Sequence, residues 1–189
     1  MLNPETGIPI VEQEEASPEV ATLFEEIKTT YQISSVPNFA KAIGASPSVA
    51  MHAWFEIKSF MNAITLPESL VSIVQFAVAE RNKCEYCKAN HELTCRMLGI
   101  DEDVLAQVVE DLGNVSPERV RAIVEFGLRV AKEPKSLVFD DYERLRQLGI
   151  SNDEIIQIAL VAARATFNDL LADALKLQVE EEVVEALTR

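Results

Sequence analysis

The chain has 189 residues, and 31 Asp and Glu set against 17 Lys and Arg give it a formal charge of −14. That balance argues against nucleic acid as a partner, because phosphate binding needs clustered Lys and Arg, and it disfavours anionic membrane surfaces. A hydrophobic fraction of 48% is that of a globular chain, long enough for one domain with a sizeable core.

Met1 to Ala16 is polar and acidic and lacks the apolar segment of a secretory leader. No stretch of about 18 or more apolar residues is read, so no membrane span is expected. The acidic excess falls on helix faces and reads as a solvated exterior. The chain is therefore expected in the cytoplasm. Structural disulfides are rare there, and a Cys-x-x-Cys pair is catalytic or metal-binding.

The predicted elements run helix after helix. Ser17-Pro18 caps a helix carrying Val20, Leu23, Phe24, Ile27 and Tyr31 at helical spacing. Val36-Pro37-Asn38 breaks the pattern, and a short helix follows to Gly44. Ser46-Pro47 starts another, with Val49, Trp54, Ile57 and Phe60. Thr65 and Glu68 are spaced as a capping box before the nearly all-apolar run Leu70 to Ala79, a buried helix. Asn82 and Lys83 interrupt it. The next helix runs from about Cys84 to Leu98, and Gly99 stops it. Asp101 caps a short helix ending at Gly113, Ser116-Pro117-Glu118 opens one that Pro134 terminates, and Phe139 to Leu148 forms the next. Ser151 and Glu154 make a second capping box for a helix reaching about Leu177. No segment alternates with period two between turn signals, so the fold class is all-α. The whole chain, 1–189, is expected to be one helical domain, with residues 1–16 an N-terminal extension and 178–189 a tail. Trp54, Phe55, Phe60 and Phe76 exceed what one small helical layer hides, so a homo-oligomer is expected. Shifted by 84 positions, Leu66 to His91 lies over Ile150 to Leu175 and pairs Val74 with Ile158 and Val78 with Ala162, an echo of two similar helical halves.

The chemistry concentrates in Cys84-Glu85-Tyr86-Cys87-Lys88-Ala89-Asn90-His91. At about 100° per residue Cys84, Cys87, His91 and Cys95 share an arc of about 80° on one helix face. Two thiols so spaced can close a disulfide, and a histidine one turn on can take a proton: the minimum for thiol redox chemistry. A helix beginning near Cys84 favours a thiolate there through its free N–H groups, whereas the proximity of His91 favours Cys87. The two arguments name different nucleophiles. Glu80 joins as an orienting group for His91, in line with the motif if the helix is unbroken and beside it if it kinks at Asn82. Cys95, among Leu93, Met97 and Leu98, reads as packing. No metal is expected: from Cys84 to Cys95 the helix rises about 16 Å, so one ion cannot take all four groups, and the only other histidine, His52, is remote.

The wider motif, Glu80-Arg81-Asn82-Lys83-Cys84-Glu85-Tyr86-Cys87 followed by His91, resembles the AhpD-like alkylhydroperoxidase and carboxymuconolactone decarboxylase superfamily. Val36-Pro37-Asn38-Phe39 with Ser46-Pro47, and the segment Ala165 to Leu175, are similar to its peroxidase-related branch. The resemblance implies an all-helical fold assembling as trimers or hexamers, and a hydroperoxide-reducing enzyme needing no bound cofactor, its disulfide reduced by an external dithiol or redox partner protein. It assigns Cys87 as nucleophile, Cys84 as resolving thiol and His91 as proton shuttle. One departure stands out. The position of the family's relay glutamate, twelve residues before the first cysteine, is Ser72, which cannot act as a base near neutral pH; either Glu80 substitutes for it, or the relay is incomplete and peroxide turnover is slow. A redox-sensing oligomer without catalysis, and decarboxylase or lactone chemistry with His91 as general base, are the competing functions.

Overall fold

Ten α-helices and three short 3-10 turns make up the regular structure of residues 2–189, the part that the computed structural model describes. Among these residues the only β feature is an isolated bridge between Leu2 and Pro9. The helices are α1 (Pro18–Tyr31), α2 (Asn38–Ile43), α3 (Pro47–Ala63), α4 (Glu68–Asn82), α5 (Glu85–Met97), α6 (Glu102–Glu110), α7 (Glu118–Lys132), α8 (Phe139–Gln147), α9 (Asn152–Ala174) and α10 (Glu181–Leu187).

The chain divides into two compact units. One comprises the chain up to Ile64 together with Ala172–Glu180; the other comprises Thr65–Leu171 with Glu181–Arg189. In the first unit α1, α2 and α3 enclose Val20, Leu23, Phe24, Ile27, Ala40, Ile43, Ala50 and Trp54. Ser17 caps α1 by accepting from the Val20 amide at 3.4 Å. The N-terminal segment is anchored by buried Asn3, whose side-chain amide donates to the carbonyls of Leu175 and Lys176, each at 3.1 Å.

In the second unit α4 is the central element and packs against α5, α6 and α7. Its sequence is apolar around most of its circumference, so it survives only enclosed: Leu70, Ile73, Val74, Phe76, Ala77, Val78 and Ala79 are all buried. The approach of α7 is close because Gly127 faces Val74. A Cβ at Gly127 would lie 2.9 Å from a Val74 methyl, inside contact distance.

Two local expectations are corrected. Thr65 and Glu68 do not form a capping box: Pro67 is the cap residue of α4, and no side chain caps it. The Thr65 and Leu66 amides instead donate to Gln157 Oε1 at 2.8 and 3.1 Å, a tertiary bond replacing a local one. The C-terminal tail is not featureless; α10 packs on α5, where Arg96 donates to the Leu187 carbonyl at 3.4 Å. Helix α9 is long and apolar enough by length and composition alone to cross a membrane, and 44% of its apolar window is buried within the protein, as in a core helix. The Ser151–Glu154 capping box does form, with both reciprocal bonds at 2.7 and 3.2 Å. The internal echo reaches burial at Val74 and Ile158 and at Val78 and Ala162, but Ala79 is buried where Ala163 is exposed, and α9 runs unbroken through the register at which α4 stops.

Candidate functional site

The Cys84-x-x-Cys87 motif sits at the sharp turn between α4 and α5. Lys83 closes α4 in the left-handed region (φ 62°), where its amide and that of Cys84 return to the carbonyls of Glu80 and Ala79 at 3.1 Å each. That reversal makes Cys84 the N-cap of α5. Its sulfur accepts from the Cys87 amide at 3.4 Å, as a hydroxyl or carboxylate oxygen would at an ordinary cap. The Cys87 amide and the positive end of the α5 dipole therefore face the Cys84 sulfur.

A third group arrives from α9. The Cys84 and Cys87 sulfurs and a carboxylate oxygen of Asp169 all lie within 4.8 Å of one another. Cys84 has no exposed surface, Asp169 is 1% exposed and Cys87 is 6% exposed, so Cys87 is the thiol a small molecule meets first. Asn82, in the last turn of α4, donates from its side-chain amide to Asp169 Oδ2 at 2.6 Å and fixes the carboxylate. The Cys87 thiol is held far above the ordinary thiol range, first by its hydrogen bond with Cys84, then by burial, then by the charge of Asp169. Both cysteines are free thiols, with the sulfurs already inside the distance that side-chain rotation can close to a disulfide of about 2.05 Å. Two thiols and a carboxylate are also a ligand set a divalent metal ion would accept, but a structural zinc site wants four protein ligands and this group offers three.

His91 and Glu80 are not members of that mutually close trio. His91 lies one turn beyond Cys87 on α5. Desolvation of its ring lowers its pKa from 6.5 to about 4, so it is neutral near pH 7. Glu80, on α4 before the kink, pairs with Lys88 at 2.7 Å, and that bond raises the lysine's pKa while partial burial opposes it. Ser72 is buried in α4. Cys95 is wholly buried, and desolvation, assisted by the charge of Glu92, pushes its pKa up to about 12, as expected of a packing residue.

The desolvated ring of His91 makes stability acid-sensitive. Its folded pKa lies below its unfolded one, so the unfolded chain binds more protons between them and folding weakens as pH falls from about 6.5 towards 4. The contribution is intact above that window and is about 2–3 kcal/mol smaller at pH 4.5. Urea unfolding of wild type and His91→Gln at pH 7 and 4.5 should show the wild type losing that much more than the variant; equal losses would refute the desolvated ring.

Asp169 is the site residue that motif reading misses. It does leave a sequence signal. On α9 it stands four residues after Ala165 and three before Ala172, both buried, so a carboxylate occupies the apolar stripe of the helix.

No family model matches the chain, and a search of curated proteins finds no match. Solved structures do match. A peroxidase-related protein with an alkylhydroperoxidase AhpD core, from Ralstonia eutropha JMP134, has a TM-score of 0.79 at 20% identity over 93% of this chain and 92% of its own. An uncharacterised peroxidase-related protein from Silicibacter sp. TM1040 gives 0.77 at 20% identity over 97% of each chain. The debrominase Bmp8, as a cysteine-to-alanine variant in complex with 2,3,4-tribromopyrrole, gives 0.80 at 18% identity over 98% of this chain and 97% of its own.

Proposed function

We propose that this chain, which has the AhpD-like all-helical fold, is a thiol-dependent peroxidase cycling between dithiol and disulfide. The observation that carries the reading is the meeting of two free thiols at the start of α5 with a buried carboxylate. Cys87 is the nucleophile, because it is the more accessible sulfur, and its attack on a hydroperoxide yields a sulfenic acid and an alcohol. Cys84, whose anion the α5 N-terminus favours, then displaces water and closes the disulfide. The same feature makes Cys84 the better leaving group when an external dithiol or redox protein attacks Cys87, since a stabilised thiolate departs faster. His91, neutral and one turn away, supports proton exchange with solvent. Glu80 acts on Lys88 at the rim. No bound cofactor is needed, and dependence on an external dithiol fits work in a reducing cytoplasm.

The test is peroxide-dependent formation of the Cys84–Cys87 disulfide, followed by stopped-flow consumption of hydroperoxide and by mass. Formation at the rate of a free thiol would leave the proposal without support. The likeness to a debrominase supports a second substrate class. The same two electrons would replace a carbon–bromine bond by carbon–hydrogen, releasing bromide and closing the same disulfide; a bromopyrrole assayed beside cumene hydroperoxide separates the two.

The chain is also proposed to form a homo-oligomer. Of the residues expected from sequence to need a partner surface, Trp54 and Phe76 are buried, Phe60 is half-buried and Phe55 is 67% exposed. Ile156, Leu160, Phe167 and Leu170 add an exposed stripe along α9, at 67, 47, 49 and 68% exposure. Light scattering should return a multiple of 21.0 kDa, and Leu160→Glu with Leu170→Glu should reduce it to the monomer. A wild-type monomer at micromolar concentration would refute the assembly.

A further inference from the structure

The geometry points to Asp169 as the group that takes the Cys87 proton and delivers it to the departing oxygen, in the role that motif reading gives to His91 and Glu80. The inference deepens the dithiol reading and rests on it. Three observations converge. The carboxylate lies within 4.8 Å of both sulfurs, so it can serve both half-reactions without moving. Asn82 holds Oδ2 at 2.6 Å, which leaves the carboxylate oriented rather than free to rotate. The alternative carboxylate, Glu80, is engaged by Lys88 at 2.7 Å and stands outside the group.

The step balances. As Cys87 sulfur attacks the terminal oxygen of R–O–O–H, its proton moves to Asp169, the O–O bond breaks, and the proton passes from Asp169 to the leaving alkoxide. Sulfenic acid and R–OH are the products. When Cys84 attacks the sulfenic sulfur, the departing hydroxide takes a proton by the same route and leaves as water. In sum, two thiols and one hydroperoxide give a disulfide, an alcohol and water, and Asp169 ends as it began. Buried beside the reacting sulfurs, a carboxylate can donate to an alkoxide that bulk water would reach slowly.

A ratio of two rates tests this. Cys87 is alkylated with iodoacetamide and, separately, oxidised with cumene hydroperoxide. Iodide leaves without a proton and an alkoxide needs one, so the peroxide-to-alkylation ratio isolates proton delivery. In Asp169→Asn, which keeps the shape, the ratio should fall at least about tenfold, while Asp169→Glu stays within about threefold of wild type. A merely structural role would slow both reactions together, and an unchanged ratio overturns the proposal. Should Asp169→Asn fail to fold, Asn82→Ala retains both thiols and the carboxylate but removes the anchor. There the ratio should fall severalfold, and an unchanged ratio overturns the proposal equally. A wild type that alkylates but never forms the disulfide with peroxide sinks the dithiol reading itself. One that cycles normally, with Asp169→Asn matching it in ratio, sinks only the role of Asp169.

Discussion

Replacing Cys87 by serine should abolish peroxide-dependent disulfide formation and lower turnover by at least about 10³-fold, some 4 kcal/mol of transition-state stabilisation. The reason is chemical rather than structural. Serine fits the space of a buried cysteine, but a hydroxyl at neutral pH is neither a comparable nucleophile nor able to form a sulfenic acid. The companion substitution, Cys84→Ser, separates the roles. It should permit one rapid attack on peroxide and then stall with Cys87 as a sulfenic acid, trapped by dimedone and seen by mass. The opposite pattern, with Cys84→Ser inert and Cys87→Ser accumulating sulfenic acid, would exchange nucleophile and resolving thiol. The structure motivates the present order because Cys87 retains 6% exposure and Cys84 none, and because the N-cap position favours the anion of the thiol that must resolve and depart.

Phe76→Ala should cost about 3–5 kcal/mol of folding free energy, the range for emptying a buried aromatic site, against a total of about 5–15 kcal/mol for a domain of ordinary stability. Phe76 is 2% exposed on α4, the helix that packs on α5, α6 and α7. The loss should be visible as a lowered urea midpoint with an unchanged slope. Phe76→Leu, which refills much of the volume, should recover more than half of it. The substitution also reaches the site. Asn82 and the Lys83 turn extend from the end of α4, so a loosened α4 frees the Asp169 carboxylate and the N-cap geometry of Cys84. Oxidation of Cys87 by peroxide should therefore slow in Phe76→Ala even at temperatures where it remains folded. Unaltered peroxide kinetics in a destabilised variant would show that the site does not depend on the packing of α4.

Legibility in the sequence follows the range of the interaction. The start of α1 at Ser17-Pro18, the Ser151–Glu154 capping box, the stop at Gly99 (φ 74°) and the break at Asn82-Lys83 are settled within a few residues of backbone, and all are readable locally. So is the buried character of α4, since a helix apolar around most of its circumference has no other place to go. The Thr65–Glu68 spacing misleads because Gln157, remote in sequence, supplies a better partner for the Thr65 and Leu66 amides than the local box does. The helix in the C-terminal tail escapes notice for a related reason: a seven-residue segment is too short to stand alone and becomes helical by packing on α5.

The candidate site divides along the same line. The spacing of Cys84 and Cys87 and the helix that begins at Cys84 are local properties, and they alone determine that two thiols can pair. Which carboxylate meets them is not local. Glu80 is near in sequence yet turns to Lys88, while Asp169 is delivered by a different helix and fixed by Asn82 from 87 positions away. Periodicity states which face of α9 is buried, but nothing within α9 specifies what that face will touch. That contact arises only when burial of apolar surface brings the helices together, and a carboxylate carried inward must then find polar partners at the place where packing leaves it.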